Sequence, residues 1–393
     1  MIPYPDEMGN NRGLSSLGFG YDPFGRLEAS NDRFLPEYLI GHDMFSVAWE
    51  PAQATLFAPA GGGKTAMRIY TLRTCWLSSQ KKRFPISYDL PFFSPGRSPL
   101  SLLAHQRAIA AASATDLVLV CAYRPNIYTE LPPERRTALV SLIQQALPVD
   151  LEWAIGLLEE TGSAEQLSFH LDRTFVIPEP AAPNVIQDFC RLLKTDLSRS
   201  AQSKISPDAL FAELLKSITR DLGYESVFLL LDGVDGVSGT ANNAVAQFEA
   251  MEPLCEQALR WAQQQVYLKA FLPLELETVI ASRADTFYRN SRHAVITWQI
   301  PDLAMILRRR VRVASRGKFD SLDAISSRAL RNVETLIAQR ARPLPRESIV
   351  LAGLVLDRYF ARCSGVGELE LEDIADAEEQ YQKGMHFPER AQP

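Results

Sequence analysis

The run Thr55-Leu-Phe-Ala-Pro-Ala-Gly-Gly-Gly-Lys-Thr65 leaves the backbone around it few choices. Ala54 to Phe57 is apolar and predicts a short buried strand, and a helical pattern runs from Lys64 to about Ser79. Backbone N–H groups converge on an anion only where no Cβ blocks the approach, which Gly61, Gly62 and Gly63 allow. The N-terminus of the following helix adds partial positive charge at the same point. Strand, glycine loop and helix in this order predict a phosphate-binding loop. In that reading the backbone of Ala60 to Ala66 cradles phosphate, Lys64 reaches the β- and γ-phosphates, and the Thr65 hydroxyl ligates Mg²⁺. Ala58 stands at the first position of the pattern, where glycine is usual.

A partner signal lies at Val227-Phe-Leu-Leu-Leu-Asp-Gly-Val-Asp235. Its apolar residues predict a strand buried on both faces, as parallel sheets require. The strand ends at Asp232, where a carboxylate meets the Mg²⁺ directly or through water. Asp235 is either a second acid that orients the attacking water or a turn-forming residue before Gly236. Thr278 to Ala281 predicts another strand, ending at Ser282-Arg283. Arg283 then either senses the γ-phosphate or makes a surface ion pair. Pro345-Arg346 opens a helix whose arginine can reach the nucleotide from a helical lid.

Together these residues resemble the STAND branch of P-loop ATPases within the AAA+ group. The resemblance rests on the Ala58–Thr65 loop, the acid motif at 229–235 and the Ala-Ser-Arg ending at 281–283, and it spans residues 34–125 and 205–380 loosely. It implies an α/β fold with a central, mostly parallel sheet flanked by helices, and an all-helical C-terminal lid domain. It also implies ATP as ligand and gives Arg346 the role of second sensor. Phe34 to Tyr38 occupies the position where related proteins hold adenine and ribose. Gly236 stands where a second consecutive acid is common, which implies slow hydrolysis.

Along the chain, residues 1–33 are rich in Gly, Asn, Asp and Pro and predict a flexible arm. The ATPase domain is expected over 34–300 with a helical insert at about 130–205, punctuated at Pro178–Pro183. Helical lid and tail follow over 301–385 and 386–393. Phe84 to Leu90 predicts a strand closed by a Pro-rich turn, and a long helical stretch is expected from Asn243 to Ala270. Leu117 to Ala122 fits strand or helix equally, and Trp153, Leu157 and Leu158 are expected in the core.

A net charge of −6 over 393 residues gives no support to a dedicated nucleic-acid binder. Five scattered cysteines without CxxC pairing predict reduced, mostly buried thiols and a cytoplasmic protein, neither a disulfide framework nor a zinc site. Residues 1–30 do not resemble a signal peptide, and no apolar stretch is long enough for a bilayer.

The function expected is a slow Mg²⁺-dependent ATPase acting as a nucleotide-driven switch, with a protein partner or a homo-oligomer supplying input and output. By analogy with the family, the setting is bacterial signalling or antiphage defence. Two alternatives stay open. Arg308 to Lys318 packs five arginines and a lysine, which either dock a nucleic-acid backbone, as in a DNA-associated AAA+ ATPase, or form a solvated face paired with acids. The other alternative is a non-hydrolysing scaffold stabilised by bound nucleotide.

Overall fold

A computed structural model describes residues 12–78, 80, 82–90, 100–174, 181–200, 204–236, 240, 243–363 and 367–385. The tail expected at 386–393, the Pro-rich turn after Leu90, half of the punctuation at 178–183 and the first residues of the arm lie outside them. The chain divides into two compact units, one of residues 43–59 and 67–295, the other of residues 1–42, 60–66 and 296–393.

The first unit is built on a five-stranded sheet. Its strands are β1 (Ala54–Ala58), β2 (Arg83–Asp89), β3 (Ser226–Asp232), β4 (Val266–Pro273) and β5 (Arg292–Val295). They lie in the order β2-β3-β4-β1-β5, and every pairing is parallel. Every residue of β1, β3 and β4 is buried, the pattern of parallel strands covered on both faces. The edges differ. Pro85 sits in β2, where its missing N–H spoils no second ladder, and β5 is short with exposed Arg292 and His293.

Two sequence expectations are corrected here. The helix expected to run to Ala270 stops at Ala262; Gln265 turns the chain with φ +60°, and Val266 to Pro273 becomes β4. That strand takes the place between β3 and β1. The strand expected at Thr278 to Ala281 is instead the helix Leu276–Arg283, with Leu276 and Ile280 buried one turn apart.

Leu117 to Ala122 belongs to the helix Leu102–Tyr123, which Ser101 caps by accepting from the Ala104 N–H at 3.2 Å. This helix is apolar nearly all round because it is enclosed, packing on β2 and on the helices Pro133–Ala146 and Pro207–Lys216. The insert is helical as expected, with Leu151–Thr161, Ala164–His170 and Pro183–Arg199 following Pro133–Ala146. Leu158 is fully buried, but Trp153 is 44% exposed and is not a core residue. The polar anchor of this region is Asp196, fully buried, which accepts from the Tyr128 hydroxyl at 2.8 Å and from Arg136 Nε at 2.7 Å.

The second unit is helical, with Ile300–Ala314, Val333–Arg340, Pro345–Cys363 and Leu371–Met385 around a core that includes Leu307, Val311, Leu351 and Tyr359. The described part of the N-terminal segment is no loose arm. Leu14, Phe19 and Phe24 are buried in that core. Asp32 also pairs with the buried Arg310 at 3.2 Å, while Arg310 Nη1 donates to the Pro23 and Arg26 carbonyls. The domain boundary expected at 300 also shifts, because residues 34–42 and 296–300 group with the helices. Among the described residues no helix is long and apolar enough to cross a membrane.

Asp196→Ala should strand the Tyr128 hydroxyl and the Arg136 guanidinium, at a cost of about 3–5 kcal/mol. A thermal melt followed by circular dichroism should show a clear drop in Tm, and an unchanged Tm would remove Asp196 from its anchoring role.

Candidate functional site

Ala58 ends β1, and the helix Lys64–Leu77 begins after only five residues. So tight a reversal needs backbone angles that side chains resist. Gly61 has φ +73° and Gly63 φ +94°, both in the left-handed region. Space forbids a side chain as well: a Cβ on Gly61 would lie 2.8 Å from Arg346 Cβ, and one on Gly63 would lie 3.1 Å from the Trp298 ring. The loop is held through its carbonyls. Trp298 Nε1 donates to the Gly62 carbonyl at 2.8 Å, and the Arg346 N–H donates to that of Gly61 at 3.3 Å. Trp298 in turn packs edge-on against His42, at 4.6 Å between ring centres. Lys64 is buried; Thr65 and Ala66 are half-buried, and Ala60 is exposed.

Arg346 stands at the start of the helix Pro345–Cys363, as expected. Its Nη2 is 2.7 Å from the exposed Glu28 carboxylate, while its Nε is buried and makes no hydrogen bond among the described residues. Phe34 stacks on Tyr21 at 4.2 Å, and the Arg310 guanidinium lies 4.6 Å from the Tyr38 ring centre. The segment Phe34 to Tyr38 is therefore engaged in packing.

In the sheet unit, β3 ends at Asp232, which is 4% exposed. Gly233 follows with φ +73°, and a turn closes through the Gly236 N–H to the Gly233 carbonyl at 3.0 Å. Asp235 lies half-buried within that turn. Asp232 Oδ2 accepts from Arg68 Nε at 3.2 Å, and both side chains are buried. Arg68 follows Lys64 by four residues, one helical turn. Asp89 ends β2 directly in register with Asp232. Behind them the fully buried Asp116 accepts from the Ser87 N–H at 2.8 Å, and burial pushes its carboxyl up to about 6.

β1 connects to β2 across β4 and β3, whereas β4 connects to β5 across β1. Connections that leave neighbouring strands in opposite directions mark the switch point where open α/β sheets hold ligands beyond the strands' carboxyl ends. Ala58 closes β1 at that end, and Asp89 and Asp232 close β2 and β3 at the same edge.

Arg283 is not at a strand's carboxyl end. It closes the helix Leu276–Arg283 and faces Glu249 at 3.8 Å, both about half exposed, the surface ion pair of the simpler reading. The arginine-rich stretch is likewise largely engaged. Arg308 pairs with the buried Glu334, Arg310 is buried, Arg312 faces Asp320 at 3.5 Å and Lys318 donates to the Leu17 carbonyl. Arg309, Arg312 and Arg316 line one groove of about 550 Å³ together with Glu37. Of the five cysteines, four are buried, and burial pushes Cys75, Cys190 and Cys255 up to about 12, so these thiols are poor nucleophiles.

Sequence reasoning overlooked Arg68, Asp89, Asp116 and Trp298. Asp89 carried a signal, an apolar strand ending in an acid as β3 does; Trp298 carried none. Lys269 was also missed. It is fully buried in β4, donates to the Glu50 and Ala52 carbonyls and lies 4.4 Å from the Phe228 ring centre; burial pushes its amine down to about 7. Its strand partner is Ala54, at the amino end of β1, so it buttresses the sheet away from the glycine loop.

No family model matches this chain, and no match to it was found among the curated proteins.

The Asp116 carboxyl gives a pH signature. Its folded value of about 6 lies above the ordinary 3.8, so the folded protein keeps a proton that the unfolded chain releases in between. Stability therefore falls as pH rises through that window. Asp116→Asn should flatten the fall, which is on the order of 2–3 kcal/mol, and urea midpoints measured from pH 4 to pH 7 would read it.

Proposed function

We propose that this chain binds ATP with Mg²⁺ at the glycine loop, hydrolyses it slowly and uses the bound γ-phosphate as a conformational switch. The observation that carries the reading is the loop itself. Gly61 and Gly63 at positive φ join a buried strand of a parallel sheet directly to the helix that Lys64 begins. Lys64 pairs with the β- and γ-phosphates, and the helix N-terminus adds its partial charge.

The donors suit Mg²⁺, because the Thr65 hydroxyl and the Asp232 carboxylate are hard oxygens. Among the described residues no group of three or more His, Cys, Asp or Glu gathers as a metal cage. An ion held mainly by phosphates, water and one or two protein oxygens needs none. Bound there, Mg²⁺ would offset the charge that develops on the phosphate oxygens.

The switch lies in Arg346. Its guanidinium is paired with the exposed carboxylate of Glu28, and one N–H remains unused. A γ-phosphate is a stronger bidentate partner than one exposed carboxylate and competes for the same group. Exchange of Glu28 for phosphate draws on the helix Pro345–Cys363 that Arg346 begins, and so acts as a helical lid. Asp235 is assigned to the attacking water, and Gly236 in place of a second consecutive acid accounts for slow turnover. Arg283, on its helix, is left out of the mechanism.

One observation favours a second reading, the nucleotide-stabilised scaffold. Arg68 already neutralises Asp232, and a carboxylate so engaged is a weaker metal ligand.

Lys64→Ala should weaken ATP binding by roughly 10²-fold, the usual effect of removing one partner of a desolvated charge pair. Titration calorimetry with the folded variant measures this, and unchanged affinity would sink the assignment. Phosphate release by the wild-type protein separates the switch from the scaffold. Arg346→Ala should lower ATP affinity by about tenfold, the worth of one charge-assisted contact, and leave ADP affinity nearly unchanged. Equal losses for the two nucleotides would count against a γ-phosphate sensor.

A further inference from the structure

The indole of Trp298 has no part in the mechanism above, yet it holds the glycine loop from outside. A peptide group is planar and trans, so its C=O and N–H point in opposite directions. The Gly62 carbonyl accepts from Trp298 Nε1 at 2.8 Å, and the Gly61 carbonyl accepts from the Arg346 N–H at 3.3 Å. Two successive peptides are thus held by their oxygens, and the N–H groups of Gly62 and Gly63 face away from those anchors. Neither N–H donates a hydrogen bond among the described residues, although Gly62 is buried and Gly63 half-buried. Buried backbone donors seldom lack an acceptor. Two in succession, at the start of a 14-residue helix, suit an anion.

Glycine peptides have no side chains to resist rotation, so such a cradle needs an outside hold. Trp298 is seated to supply it. Its ring packs against the cluster of Leu303, Ala304 and Ala338, and His42 lies edge-on to it at 4.6 Å between ring centres. A Cβ on Gly63 would lie 3.1 Å from the same ring, so the indole closes directly on the loop. Gly61, Gly62, Gly63, His42, Trp298 and Arg346 all belong to the second unit.

We infer that Trp298 is a positioning residue for the ligand's phosphates, an inference that rests on the nucleotide reading above. Its indole N–H draws the Gly62 carbonyl outward and so keeps the Gly63 N–H turned inward, beside that of Gly62. Arg346 is assigned to the γ-phosphate, so these loop N–H groups take the phosphates that ADP and ATP share. Trp298 therefore sets affinity for the diphosphate part of the ligand without touching it. Arg346 supplies the second hold through its main chain, which no exchange of its side chain removes, so the test falls on Trp298.

The test compares wild type, Trp298→Phe and Trp298→Ala in calorimetric affinity for Mg·ADP, Mg·ATP and inorganic pyrophosphate, and in nucleotide-free Tm. Phenylalanine keeps an aromatic ring in the seat and removes the N–H. Trp298→Phe should weaken all three ligands alike, by about tenfold, the worth of one hydrogen bond, with a melt close to that of wild type. Trp298→Ala should lose little more affinity, although its Tm falls with the lost packing. A residue that acts by packing alone would show the affinity loss only in Trp298→Ala. Equal losses for ADP and ATP also set Trp298 apart from Arg346, whose removal touches ATP. Wild-type affinity in Trp298→Phe overturns the positioning role. A loss confined to ADP and ATP, with pyrophosphate binding unchanged, overturns it in favour of a platform for the base. Wild-type protein that binds ADP and no pyrophosphate overturns it too. Each of these leaves the nucleotide reading standing, whereas wild-type protein that binds neither nucleotide nor pyrophosphate removes that reading and the role of Trp298 with it.

Discussion

Burial of β1, β3 and β4 on both faces is the constraint from which the rest follows. Strands that are buried on both faces need helices on each side, and parallel pairing lets each return only by a crossover. Every strand then points the same way, and all carboxyl ends collect along one edge. Ala58, Asp89 and Asp232 stand far apart in the chain, yet they end strands that finish on that edge. The outer positions fall to β2, which contains a proline, and to β5, which is short and polar.

Charge is handled differently in different parts of the molecule. Arg310 and Asp196 are buried ions that each have an oppositely charged partner, and each fastens one segment to another. At the carboxyl edge the balance is poorer. Asp232 has one guanidinium, Asp89 stands exposed beside it, and burial pushes the Asp116 carboxyl up to about 6. Natural proteins carry such imbalance where chemistry needs it and recover stability elsewhere. The glycine loop follows the same pattern, because its left-handed residues are tolerated only under the contacts of Trp298 and Arg346.

How much was legible in the sequence depended on how local the cause was. β1, β2, β3 and the helix after the glycine loop were readable because composition and spacing within a few residues decide them. β4 was misread as helix and its successor helix as strand. Both are short apolar runs, and a short apolar run has no period that separates the two. Membership of the sheet decides between them, and the place between β3 and β1 goes to the segment that pairs on both sides. Arg283 lost its role for the same reason, since that role depended on a strand end. Residues 12–33 look like loop by composition, but Leu14, Phe19, Phe24 and Asp32 find partners nearly 300 positions away. The arginine-rich helix shows the converse, a strong local signal dispersed by burial and pairing.

The sequence by itself determined the strand, glycine loop and helix from Ala54 to Leu77, the acid that ends β3, and the α/β character of the chain. Each of these is fixed by steric freedom at glycine or by a run of apolar side chains, properties that a residue carries into any fold. Tertiary structure alone decided the strand order, the pairing of Arg68 with Asp232, the setting of Asp89 beside it, and the covering of the loop by Trp298 and Arg346. Those are relations between residues distant in the chain, and they exist only once burial of the sheet has chosen which segments become neighbours.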